Sequence, residues 1–200
     1  MAFIGIDGSG KSSHAAATRA WLEARGYKSE LVPFHRYLLV DSISRAMPAR
    51  GRPHRSRRGN ALRPVFSLLD NLLFLVSTSA GRGMAGEAVV YDRFIWSTYI
   101  KYAGLGYPVR PISYMYLLPR PKAAILFDVP IERSLHVIDE REIHIKYARN
   151  VLAAERERYL RLARERGYPI IDSTGTFEVV QGRVEALLSP IFPPASRRAS

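Results

Sequence analysis

Residues 5–12 read Gly-Ile-Asp-Gly-Ser-Gly-Lys-Ser, a complete G-x-x-x-x-G-K-[ST] pattern, and no other stretch restricts the fold so much. The pattern has a geometric requirement. Glycines let successive backbone N–H groups turn inward around an anion, and a following helix adds the positive end of its dipole. Such a loop belongs between a buried strand and a helix, and the flanking residues supply both. Residues 2–6 are a short apolar run, and Lys11 onward reads as a helix closed by Gly26. Gly8, Ser9, Gly10, Lys11, Ser12 and Ser13 are therefore the candidate nucleotide-binding residues. Lys11 can reach the β- and γ-phosphates, and the Ser12 hydroxyl can ligand Mg²⁺. ATP and Mg²⁺ are the expected cofactors.

The rest of the chain alternates between the two periodicities. Further strands are expected at Ser29–Phe34, Glu87–Tyr91, Lys122–Asp128 and Tyr168–Asp172. Helices are expected at Ala61–Ser79, Phe94–Ala103, Pro111–Leu118, Ile131–Ile138, a long segment ending at Arg166, and Phe177–Leu188. This order implies an α/β fold: a P-loop NTPase-type parallel five-stranded sheet with helices on both faces and a short lid. One domain is expected over residues 1–189, with a basic loop at about 45–60 and a lid at about 139–146. Residues 190–200 read as a flexible tail.

Composition removes several function classes. The chain has no cysteine, which excludes disulfides, zinc–thiolate sites and cysteine catalysis. Asp7 comes before any apolar run long enough for a secretory signal. The longest apolar stretch, 61–80, carries Arg63, Pro64, Asp70 and Asn71, so no membrane span is expected and a cytoplasmic location is. Of the formal charge of +12, seven units come from arginines within residues 45–63, which hold no acid. The excess is local, and a solvated loop explains it better than a nucleic-acid surface.

A second acidic position separates kinases from other P-loop proteins. Val89-Val90-Tyr91 is an apolar strand that delivers Asp92 at its end, with Arg93 next. That pair offers a carboxylate for a metal or its waters and a cation for phosphate. Gly5–Ser13 together with Asp92-Arg93-Phe94-x-x-Ser97 resembles the thymidylate kinase family, and element order and length agree over roughly residues 2–188. The Leu72-Leu73-Phe74 run is similar to the family's base-stacking helix, and Leu126-Phe127-Asp128-Val129-Pro130 to its fourth strand.

The resemblance implies roles. Lys11, Asp92, Arg93 and a lid arginine would be catalytic, with Ser12 and Asp92 at the metal. Asp7 would hold a sugar 3′-hydroxyl, Arg93 the acceptor phosphate, and Phe74 the base; Arg36, Ser97 and Tyr102 complete the acceptor side. The variable loop positions Gly8 and Ser9 supply no arginine, so the lid must: Arg141, with Arg133, Lys146 and Arg149 in reserve. Three positions depart from the pattern. Thr78 replaces a phosphate-binding arginine, Phe34-His35-Arg36-Tyr37 replaces Arg-Glu-Pro, and Lys101-Tyr102 replaces Tyr-Gln. The implied activity is phosphorylation of a nucleoside monophosphate, dTMP to dTDP foremost. The rivals are a P-loop kinase for a nucleoside or sugar and a nucleic-acid-dependent ATPase. Nucleic acid and membrane are not expected as partners, and a homodimer is left open.

Overall fold

Strand β1 (Ala2–Ile4) is apolar at every position and fully buried, so both its faces must be covered. The computed structural model describes residues 1–33, 57–79, 87–140 and 149–194. In chain order β1 is followed by α1 (Lys11–Ala24), β2 (Lys28–Pro33), α2 (Arg57–Ser79), β3 (Glu87–Asp92) and α3 (Ile95–Gly104). A short 3₁₀ turn (Arg110–Ile112) leads into α4 (Ser113–Leu117), β4 (Ala124–Asp128) and α5 (Ile131–Glu140). Helix α6 (Arg149–Arg166), β5 (Ile170–Asp172) and α7 (Phe177–Leu188) complete the order.

The five strands form one sheet in the order β2-β3-β1-β4-β5, with every pairing parallel. The expected α/β architecture is therefore present. Register places Phe3 opposite both Asp92 and Ile125. From β1 the chain passes to the edge strand β2, returns to β3 beside β1, and then crosses to the other side for β4 and β5. That reversal opens a crevice at the carboxyl ends of the strands next to β1.

Alternation along the strands divides the core in two. Ala2, Ile4, Tyr91 and Leu126 face α2, α3 and α6, where Trp96, Ile100, Leu152 and Tyr159 are buried. Phe3, Val90, Ile125 and Phe127 face α1 and α7, where Ala15, Leu22, Val180 and Val184 are buried. Asp128, at the end of β4, ties α6 to the sheet by accepting two hydrogen bonds from Arg156, at 2.7 and 2.8 Å.

Some boundaries differ from expectation. Helix α2 begins at Arg57 rather than Ala61, which puts Pro64 inside it. The Pro64 carbonyl accepts a hydrogen bond from Tyr116 Oη at 2.6 Å, which ties α4 to α2 at this point. The tail also starts later than expected. Phe192 is buried, its ring edge-on to Tyr27 at 5.5 Å, and Tyr27 Oη donates to the Pro193 carbonyl at 3.1 Å. The gain from burying one aromatic ring outweighs the turn signals of Pro190 and Pro193.

Gly5 joins β1 to the loop at φ 148°, and a Cβ there would stand 2.5 Å from the Phe127 carbonyl oxygen. Gly5→Ala is expected to destabilise the fold by about 2 kcal/mol or more, because backbone must move. Gly106→Ala, at φ 78° with open space around it, adds only backbone strain of about 1 kcal/mol. Urea denaturation of the two variants tests the difference.

Candidate functional site

The loop between β1 and α1 takes the conformation its glycines permit. Gly8 and Gly10 stand at φ 77° and 78°, and Gly10 caps α1 without any side-chain hydrogen bond. No side chain caps the first turn of α1, as suits a helix end that binds an anion. Asp7, Gly8, Gly10, Lys11, Ser12, Ser13 and Arg93 line one open cleft of about 120 Å³.

Lys11 is almost completely buried, and its Nζ donates to the Ile6 carbonyl at 2.9 Å and lies 3.8 Å from Asp7 Oδ1. Asp7 also accepts a hydrogen bond from Arg93 Nη2, so one carboxylate joins the loop cation to the cation at the end of β3. The loop is braced from outside as well. Ser134 of α5, fully buried, donates to the Asp7 carbonyl at 2.6 Å, and a Cβ on Gly8 would come within 2.8 Å of the Ser134 carbonyl oxygen.

Arg93 is the only non-glycine residue at positive φ among those described, at 75°. Its amide donates to the Phe3 carbonyl at 2.9 Å, so β1 fixes the backbone that turns the guanidinium to Asp7. Such strain, about 1–2 kcal/mol, persists where the surroundings over-determine it, and function is the usual reason. Asp92, one residue earlier, keeps Oδ1 buried and without a hydrogen-bond partner. Ser12 is exposed on the loop side of the cleft. Among the described residues no cluster of three or more His, Asp or Glu could hold a metal alone. An unsatisfied carboxylate oxygen and a serine hydroxyl fit a hard cation that shares its shell with phosphate oxygens and water.

The other expected residues fall in different places. Ser97 is buried, and its Oγ accepts from the Phe94 amide at 3.4 Å, which serves the start of α3. Tyr102 Oη lies 2.6 Å from Ser67 Oγ and its ring is edge-on to Tyr107, so it joins α3 to α2. Phe74 is half-buried against the α2 side of the core. Thr78 donates to the Phe74 carbonyl at 2.8 Å and lies 3.0 Å from Tyr91 Oη. Of the reserve lid cations, Arg133 donates to the Thr174 carbonyl and Arg149 to Glu132. Arg36, Arg141, Lys146 and most of the basic loop and lid lie outside the described residues.

Three participants escaped the sequence reading. Ser134 has no motif. His14, a histidine without ligand spacing, is buried in a stack, with Phe127 at 5.2 Å and Phe177 at 4.7 Å, and its Nδ1 lies 3.0 Å from Gln181 Oε1. Glu155 is 5% exposed on α6, and it did leave a signal. It interrupts the buried row Leu152, Tyr159, Leu162, where an acid has no business unless partnered or used. Burial pushes its carboxyl above the usual range, against the pull of Lys101, Arg93, Lys11 and Arg158.

Comparison with known proteins bears on this arrangement. The family model described as thymidylate kinase matches residues 3–184. A relative from Methanothermobacter thermautotrophicus, named "Probable thymidylate kinase", is 31% identical, with 96% of this chain and 95% of the relative covered. Relatives from Saccharolobus solfataricus ("Probable thymidylate kinase 1") and Caldivirga maquilingensis ("Probable thymidylate kinase") are 24% and 26% identical. They cover 96% and 92% of this chain, and 98% and 90% of their own lengths.

Arg93→Ala and Arg93→Gly both remove the bond to Asp7, but only glycine relieves φ 75°. Arg93→Gly is expected to be the more stable by about 1 kcal/mol, while phosphoryl transfer is lost in both. Thermal unfolding alongside a kinase assay reads the two effects separately.

Proposed function

The chain belongs to the thymidylate kinase family, and from that premise we propose that it transfers the γ-phosphoryl group of ATP to dTMP, with Mg²⁺, in the cytoplasm. It is a phosphotransferase with a nucleoside monophosphate as acceptor. That chemistry sets aside the nucleic-acid-dependent ATPase and the nucleoside or sugar kinase. No described helix is long and apolar enough to cross a membrane.

One observation carries the reading furthest: a single carboxylate, Asp7, stands between the loop cation Lys11 and the β3 cation Arg93. Donor phosphates and acceptor phosphate must meet where both cations reach, and that place is the cleft these residues line. The backbone amides of Gly8 to Ser13 and the Lys11 ammonium orient the β- and γ-phosphates. Ser12 and Asp92 would hold Mg²⁺, which when bound neutralises charge on the bridging phosphate oxygens. Arg93 holds the acceptor phosphate in line with the γ-phosphorus, and Asp7 accepts a hydrogen bond from the sugar 3′-hydroxyl. No covalent intermediate is required, because positioning and charge do the work. Phe74 bounds the base, and closure of the 139–146 lid brings Arg141 to the transferring group. The whole unit is one domain over residues 1–189.

Two copies associate through α2. Val65, Leu69, Leu73 and Val76 are exposed along this helix, the last two by 62% and 64%. The sole charged residue from Pro64 to Ser79, Asp70, is buried. A contiguous apolar face without charge suits a second identical face. Light scattering is expected to give a dimer mass for the wild type and a monomer mass for Leu73→Glu/Val76→Glu.

A panel of nucleoside monophosphates and thymidine with ATP and Mg²⁺ tests the function. dTDP is the expected main product, and Lys11→Ala should cut turnover by about 10³-fold. Near-wild-type turnover by Lys11→Ala, or no diphosphate from any monophosphate, overturns the reading. An acceptor lacking the 3′-hydroxyl should be a poor substrate, with the gap narrowed in Asp7→Ala.

A further inference from the structure

A nucleoside monophosphate brings about two negative charges into the acceptor side of the cleft. The cations that meet them there deserve a census. Thr78 is neutral where an arginine was expected, and its hydroxyl is committed to the Phe74 carbonyl and Tyr91 Oη. Among the described residues Arg93 is one cation, and it is shared with Asp7. Lys11 is turned back onto the loop by the Ile6 carbonyl, toward the donor phosphates.

Helix α3 carries another. Lys101 follows Ser97 by one turn on the helix that begins directly after Arg93, and it is half-buried. Helix α6 packs across this part of α3 and brings Glu155 against it. A Cβ on Gly104 would lie 3.2 Å from Glu155 Cγ and 3.7 Å from Oε1, so the acid fits because residue 104 has no side chain. Glu155 Oε1 is buried and accepts no hydrogen bond among the described residues. An acid in that condition is expensive to keep inside a protein, and its surroundings say what it serves. Lys101 is the charge that acts on it most strongly, followed by Arg93 and Lys11. Lys101 in turn is pushed down by burial, held up by Glu155 and pushed down by Arg93. Lys101 and Gly104, three residues apart, share a face of α3, so the acid packed on Gly104 stands on the side of the helix that carries the amine.

We propose that Lys101 is a further cation for the acceptor phosphate beside Arg93, and that Glu155 is the positioning residue that holds its ammonium in place. The proposal rests on the kinase reading above. A half-buried lysine beside an arginine tends to shed its proton, and a carboxylate behind it opposes that loss. When a monophosphate enters, Arg93 and Lys101 face it from two sides. Glu155 remains behind Lys101, outside the reacting atoms.

Binding of dTMP, thymidine and ATP to wild type, Lys101→Gln, Lys101→Arg, Glu155→Gln and the double variant Lys101→Gln/Glu155→Gln tests this, together with KM and kcat. Lys101→Gln is expected to weaken dTMP binding about tenfold and raise its KM, leaving thymidine and ATP binding unchanged. Lys101→Arg should restore most of the dTMP affinity. Glu155→Gln should weaken dTMP binding about three- to fivefold, again without effect on thymidine. The double variant should bind dTMP no more weakly than Lys101→Gln alone, since the acid acts through the amine. Equal loss for thymidine and dTMP, unchanged dTMP affinity in Lys101→Gln, or additive losses in the double variant overturns the proposal. Wild-type protein that phosphorylates no monophosphate overturns the kinase reading instead, so the two failures are told apart.

Discussion

Everything in the cleft depends on two places where a side chain cannot be. The backbone of the β1–α1 loop presses against the Phe127 carbonyl at Gly5 and against Ser134 at Gly8, and a single methyl group at either would collide with backbone. The loop is consequently clamped between β4 and α5 before any ligand arrives. Its shape is fixed in advance, and this removes a reorganisation cost from the transfer step. The flexibility that glycine gives the unfolded chain is the opposing expense. It is offset by buried strands on both flanks, Ala2–Ile4 among them.

From that clamp the remaining parts acquire their positions by the shortest routes. The β3 pairing sets Asp92 opposite Phe3, and the Arg93 amide continues the ladder to the Phe3 carbonyl. Two functional side chains are thus located by backbone hydrogen bonds to β1 rather than by loop packing. The opposite wall is anchored differently. Helix α6 is fastened to β4 by the paired bonds from Arg156 to Asp128, and through α6 Glu155 is carried to Gly104. Both walls refer back to the centre of one sheet, which suits a site that tolerates little misplacement.

The loop, the five strands and the Asp92-Arg93 pair were legible in the sequence because each is written in contiguous residues. A glycine pattern, an alternating run and an acid at a strand end need no knowledge of distant neighbours. What was not legible depends on helix phase and on long-range packing. Lys101 and Tyr102 are adjacent, yet about 100° apart around α3. The sequence pattern favoured Tyr102, whereas packing commits its hydroxyl to Ser67 and leaves Lys101 under the influence of Glu155 and Arg93. Ser134 reaches Asp7 across 127 residues, a contact that only the completed sheet creates. The start of α2 was misread for a local reason. Arg57 to Asn60 read as the end of the basic loop, whereas the helix begins there and runs on through Pro64.

Asp7 and Arg93 are bonded to each other, so acceptor entry is an exchange of partners and not an addition of them. On the proposed assignment, a molecule offering only a phosphate would draw Arg93 away and leave Asp7 with Lys11 alone. A molecule offering only a hydroxyl would strand Arg93 in the same way. One that carries both, at the separation a deoxyribose imposes, releases the two residues and satisfies them in the same event. The ion pair therefore favours a ligand that carries both keys over inorganic phosphate or a free sugar, each of which would part the pair and satisfy only one of its members.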